Sequence, residues 1–101
     1  MTEWRFASED PADELAILRH FTVKKHEPGG DVEFTITVKE YARPKDPTML
    51  FFALADKQVL QRDGAYTPCG WGNTLLKALA ECVLQIKQFP YQGHATADER
   101  R

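Results

Sequence analysis

From Val32 onward the chain alternates with a period of two. Val32, Phe34, Ile36 and Val38 fall on one side, and Glu33, Thr35, Thr37 and Lys39 on the other. A helix turns too fast to keep that pattern on one face, whereas successive side chains of a strand point to opposite faces. The segment therefore has to be a strand with one buried and one wet face, and the rest of the chain must supply its strand partners and its cover. Pro28-Gly29-Gly30-Asp31 stands just before it. Gly-Gly supplies the positive φ angles of a tight hairpin, so residues 21–27 are predicted to pair antiparallel with residues 32–42.

A turn follows at Arg43-Pro44-Lys45-Asp46-Pro47, where two prolines interrupt any regular element. Residues 49–55, Met-Leu-Phe-Phe-Ala-Leu-Ala, then read as a third strand that is apolar on both faces. Asp46, Pro47, Asp56 and Lys57 flank it as gatekeepers, and it can resume through residues 59–62. Residues 63–72 read as a long loop. Thr74 is predicted to cap a helix running to about Phe89, because Leu75, Leu79, Cys82, Ile86 and Phe89 recur at helical spacing. Leu76, Ala80 and Val83 widen that face, and Lys77, Glu81, Gln85 and Gln88 form the wet one. Pro90 ends it. Near the N-terminus, Asp10-Pro11 with Asp13 and Glu14 reads as a helix start, giving a short helix to about Arg19, while residues 17–23 can also begin a strand. Residues 92–101 carry no apolar period and read as a flexible tail.

These elements predict an α+β domain over residues 1–91: a three-stranded antiparallel meander packed on a long C-terminal helix, with a short N-terminal helix, in the order α-β-β-β-α. At 101 residues one core is expected. A hydrophobic share of 43% with 28% charged residues is ordinary for a folded domain and argues against disorder. The net charge of -2 lacks the basic balance of a dedicated nucleic-acid binder. The apolar run at residues 49–55 falls far short of the ~20 residues that span a bilayer. The opening Met1-Thr2-Glu3-Trp4-Arg5-Phe6 lacks the basic-then-apolar layout of a secretory signal. A cytoplasmic location with reduced thiols is the expectation, since two cysteines are too few for a disulfide scaffold.

The chemistry-bearing residues have plain readings. Cys69 precedes a helix, where thiolates are stabilised, but His20, His26 and His94 offer no recognisable base beside it. Cys82 falls on the apolar helix face and reads as core. No grouping of Cys and His has the look of a metal site. Gly70-Trp71-Gly72 lacks the Lys and the further glycines of a phosphate loop; Trp71 reads as a lid on the core or as a contact residue. Glu33, Glu40, Glu81, Asp56 and Asp63 show no acid–base pairing. No catalytic, cofactor or metal residue is assigned.

Two family resemblances attach to these residues. Pro68, Cys69, Gly72, Thr74, Ala78 and Leu79 match the strand-to-helix junction of HicB-like antitoxin domains, which this stretch resembles. Asn73 replaces the family's Asp, and Leu75-Leu76-Lys77 replaces its acidic stretch. The likeness covers about a quarter of the chain and implies an α+β regulatory domain; the DNA-binding segment that usually follows does not carry over. The α-β-β-β-α order is also similar to that of double-stranded-RNA-binding domains. Their Lys cluster at the start of the last helix is reduced here to Lys77, and the loop His26-Glu27-Pro28-Gly29-Gly30-Asp31 has no Lys or Arg. That order implies shared topology without the phosphate contacts.

The functional expectation is a small protein-interaction or regulatory module, self-association included, with Phe52, Leu54, Tyr66 and Trp71 as contact residues. One face of residues 49–55 would stay wet, unless Trp4 and Phe6 fold over it. An RNA-binding domain of low basicity is the alternative, and an enzyme using Cys69 comes third.

Overall fold

The computed structural model describes residues 3–10 and 12–93. After a 3-10 turn at Glu3–Phe6 come β1 (Ala16–Lys25), β2 (Val32–Tyr41), a second 3-10 turn (Pro47–Met49), β3 (Phe51–Ala55), β4 (Val59–Gln61), β5 (Gly64–Tyr66), β6 (Cys69–Gly72) and α1 (Leu75–Gln88). The main sheet is four-stranded and antiparallel, in the order β1-β2-β3-β6. β4 and β5 form a separate small hairpin between β3 and β6.

The period-two segment is the centre of this sheet. Its row Val32, Phe34, Ile36 and Val38 is buried and meets Ala53 and Ala55 of β3 and Ala78, Cys82 and Ile86 of α1. Gly30, at φ 126°, takes the left-handed position that closes the β1–β2 hairpin. Thr74 caps α1 by accepting from the Lys77 N–H at 3.1 Å.

Three expectations need correction. The helix over residues 10–19 is replaced by a single turn and the start of β1. Asp10 does act as a cap, accepting from the Ala12 N–H at 2.9 Å, but it closes only that turn. Ile17, Arg19, Phe21 and Val23 continue an alternation that matches Glu40, Val38, Ile36 and Phe34 across the ladder, and this long pairing outweighs local helix signals. Secondly, Cys69–Gly72 is a strand, so the sheet has four strands and not three. Thirdly, Leu76 (74% exposed) and Ala80 lie on the outer face of α1, with Leu84 beside them. The start of the third strand also shifts, because Asp46 accepts from the Thr48 N–H and hydroxyl and holds Pro47–Met49 in a turn. Of the expected tail, Gln92 donates to the Gln58 carbonyl at 3.0 Å, and residues 94–101 lie outside the described residues.

Two glycines fix how closely the layers pack. A Cβ on Gly70 would stand 2.3 Å from the Ala78 carbonyl oxygen, and one on Gly72 would stand 2.7 Å from the Lys77 Cβ. Both face α1, so the helix rests directly on the β6 backbone. At the far end, the Lys25 ammonium donates to the carbonyls of Ile86 and Phe89 and pairs with Glu27 at 2.8 Å. It thereby satisfies the last carbonyls of α1, which have no partner within the helix.

Gly70→Ala is expected to lower stability by about 1–3 kcal/mol through overpacking against helix backbone that cannot yield. Leu76→Ala, on the outer face, should stay within ~0.5 kcal/mol of the native chain. Urea titration of the two variants checks this, and equal losses would refute the assigned helix orientation.

Candidate interaction surface

Because α1 covers one face of the sheet, the residues of the other face are set by register. Leu18, Lys39, Phe52 and Trp71 stand opposite one another across all four strands. The next tier carries His20, Thr37 and Leu54, and towards the hairpin the face turns polar with Thr22, Thr35, Lys24 and Glu33. The apolar members are open to solvent: Leu18 is 52% exposed, and Leu54 and Trp71 are each 42% exposed.

The aromatic residues form a stack on this face. Trp71 lies 4.3 Å from Phe52 between ring centroids and 6.3 Å from Tyr41, nearly parallel to the latter. Burial, and after it the Glu14 carboxylate, raise the Tyr41 hydroxyl above the ordinary tyrosine range, so it stays a neutral donor at physiological pH. Beside the stack a cleft of about 490 Å³ opens between Tyr41, Pro44, Met49 and Trp71, with Glu14 and Arg43 among its charged lining.

Of the four contact residues expected from sequence, Phe52, Leu54 and Trp71 share this face. Tyr66 stands apart, on β5, packed against the core cluster. Its hydroxyl lies 3.4 Å from the Cys69 sulfur. That hydrogen bond first, and burial second, raise its pKa. Of Trp4 and Phe6, the latter is 74% exposed and covers no part of the open face, while Arg5 between them reaches Glu40 of the helix-side row at 3.0 Å and the carbonyls of Tyr41 and Ala42.

Leu18 and Tyr41 are members of the surface that sequence patterning missed. Leu18 fell in the segment read as helix, and Tyr41 was assigned to a strand with no fourth strand to bring Trp71 beside it. A second feature was hidden for the same reason. The Trp71 N–H donates to Glu81 Oε1 at 3.0 Å and the Cys69 N–H to Gln85 Oε1 at 2.9 Å. These helix residues, expected on the wet face, close the outer edge of β6.

The cysteines and histidines do not converge. Cys69 opens a strand and not a helix. His20 Nδ1 lies 3.0 Å from the Thr37 hydroxyl, and His26 Nδ1 lies 2.9 Å from Asp31. Among the described residues no group of three or more His, Cys, Asp or Glu is arranged to hold a metal, and no helix is long and apolar enough to cross a membrane.

No protein-family model matches the chain, and comparison with curated proteins and with solved structures gives no match. The resemblance to HicB-like domains rests on the residues quoted for it; that to double-stranded-RNA-binding domains rests on an α-β-β-β-α order, of which the described residues carry the C-terminal helix but no N-terminal one.

Burial, followed by the Cys69 thiol and Glu81, pushes the Cys82 thiol up to about 12. Its thiolate, the reactive form, is therefore scarce near neutral pH. An aromatic disulfide reagent at about pH 8 should modify Cys69 in the native chain and reach Cys82 only on unfolding. Mass mapping of the labelled peptides checks this, and labelling of native Cys82 at the rate of Cys69 would contradict its place in the core.

Proposed function

We propose that the chain is a small protein-interaction module and that the open sheet face is its docking surface. The observation that carries this is the uncovered group of Phe52, Trp71 and Leu54, with Leu18 beyond Lys39 in the same row, on a sheet whose other face is covered by α1 over β2, β3 and β6. A contiguous apolar patch of several hundred Å² on one face usually marks a contact site. Trp and Tyr at its centre supply large, stiff contact area of the kind that dominates interface energetics. The cleft beside Tyr41 and Trp71 is sized to take an apolar anchor side chain from a partner protein; Glu14 and Arg43 supply a polar rim to it, and Lys39 places one charge within the row itself.

A second reading draws on the same stack. Aromatic side chains on an open antiparallel sheet can bind single-stranded bases, and Lys39 lies among them. Here the rings pack on one another, which favours protein contact over base stacking.

The test is a photo-activated cross-linker placed at position 54 and, as a control, at position 76 on the exposed side of α1. Position 54 should cross-link a defined protein in the native host, position 76 should not, and Trp71→Ala should weaken the cross-link at least ~10-fold, as for an interface hot spot. Equal products at both positions, or none at either, would reject the docking surface. Products that are nucleic acid and vanish steeply with salt would favour the second reading.

A further inference from the structure

The two edges of the main sheet are unlike. The β6 edge is closed, because Glu81 and Gln85, one turn apart on α1, accept its outward N–H groups at Trp71 and Cys69. The β1 edge is ten residues long and, among the described residues, has no strand beyond it. The Ala42 N–H donates to the Leu15 carbonyl at 2.9 Å. By the alternation of an antiparallel ladder, Ile17, Arg19, Phe21 and Val23 then turn their backbone groups to β2, while Ala16, Leu18, His20, Thr22 and Lys24 turn theirs outward. Among the described residues nothing bonds to these outward groups. A long unpaired edge of this kind is a template for strand addition.

We infer that β1 pairs antiparallel with β1 of a second copy of this chain, making one continuous eight-stranded sheet. Two observations select a second copy. The first is closure: with the β6 edge blocked, head-to-tail stacking has no acceptor, and two β1 edges joined about a two-fold axis consume both free edges and stop at a dimer. The second is charge. Glu14 stands just before β1 and Lys24 near its end. In the antiparallel register that places His20 opposite Leu18 of the second copy, Thr22 meets Ala16 and Lys24 meets Glu14. The axis repeats the ion pair, so each dimer gains it twice.

The helix-side row fits the same register. Phe21 meets Ile17 of the second copy, and both are only half-buried in one chain, because α1 lies over β6, β3 and β2. The two Arg19 side chains meet at the axis, each already held by its own Glu40 at 2.8 Å. Outward residues of both copies lie on one side of the joined sheet, so the dimer presents two copies of the open apolar face together. The pairing is made by backbone groups that the docking surface does not use, although Glu14 serves both its ion pair and the rim of the cleft.

Sedimentation velocity at tens of micromolar, with hydrogen exchange on the same samples, tests the pairing. The chain should run as a dimer, with the Leu18, His20, Thr22 and Lys24 amides protected. Lys24→Glu should weaken the dimer about tenfold or more, since two ion pairs become like-charge contacts. Glu14→Lys combined with Lys24→Glu should restore it. Thr22→Pro removes an outward N–H that the single chain does not use, and should give a folded monomer. Leu54→Asp, on the open face, should leave the dimer intact. A monomer at these concentrations overturns the inference, as does a dimer that ignores the Lys24 and Thr22 changes and dissociates with Leu54→Asp.

Discussion

The contact of α1 with Gly70 and Gly72 decides what the remaining elements can do. With no Cβ on either residue, the helix backbone comes to rest on β6, and Ala78 is buried at the point of contact. Three consequences follow from that one approach. The strand between the glycines is held against β3, so the sheet gains its fourth member. Trp71, between them in sequence, is forced to the opposite face by the period of two. And Glu81 and Gln85 come within reach of the outward N–H groups of β6, so a potential aggregation edge is closed by side chains of the same helix. Gly-Trp-Gly thus makes sense as a packing device: two residues chosen for what they lack, and one displayed on the far side.

Long-range polar contacts tie the ends of the hairpin to this layer. Lys25 and Glu27 are nearly buried, with side chains 14% and 8% exposed, and both are engaged. Lys25 closes the carbonyl end of α1, and Glu27 accepts from the Tyr91 N–H at 3.0 Å. At the other end Glu40 accepts from both Arg5 and Arg19. The Arg19–Glu40 pair, which bridges β1 and β2, contributes less to net stability than to uniqueness, since a slipped register would part the two charges and would also draw Lys25 away from the α1 carbonyls. For the β1–β2 ladder this matters, because a slip of one residue would turn Phe34 and Ile36 to solvent. The two clusters act as stops against such a slip.

The parts of this arrangement that were legible in the sequence are those fixed by local period. The alternation from Val32 to Val38, the Gly29-Gly30 turn and the Thr74 cap each have a cause within a few residues, and the structure places a strand, a hairpin and a helix start there. What escaped was set by partners distant in sequence. Residues 16–19 carry helix-compatible side chains and become strand because β2 offers a complete ladder. Cys69–Gly72 has two glycines, which weaken a strand in isolation, and is a strand because α1 and β3 enclose it. The candidate surface inherits the same division. Phe52 and Leu54 could be placed from the alternation of their own strand, whereas Leu18 and Tyr41 join them only through cross-strand register. Tyr66, expected with them, is carried elsewhere by the β4–β5 hairpin.

A sheet with one face covered over three of its strands and one edge closed has two main surfaces left for other molecules, and they differ in chemistry. The open face presents side chains, so its preferences are set by shape and apolar area. The β1 edge presents backbone donors and acceptors at regular spacing, and its preference is set by which neighbouring charges tolerate an approaching strand. Glu14 and Lys24, at opposite ends of that strand, repel a parallel copy and attract an antiparallel one. The two surfaces share residues of one strand, since Leu18 and His20 contribute side chains to the face and backbone to the edge. Pairing at the edge would bring two Leu18 side chains within a few ångströms of the axis and so join two apolar patches that are separate in the single chain. The joined area would then exceed that of either copy, and a partner that touches both halves would bind far more tightly than one that touches a single face, by the effective concentration of the second contact.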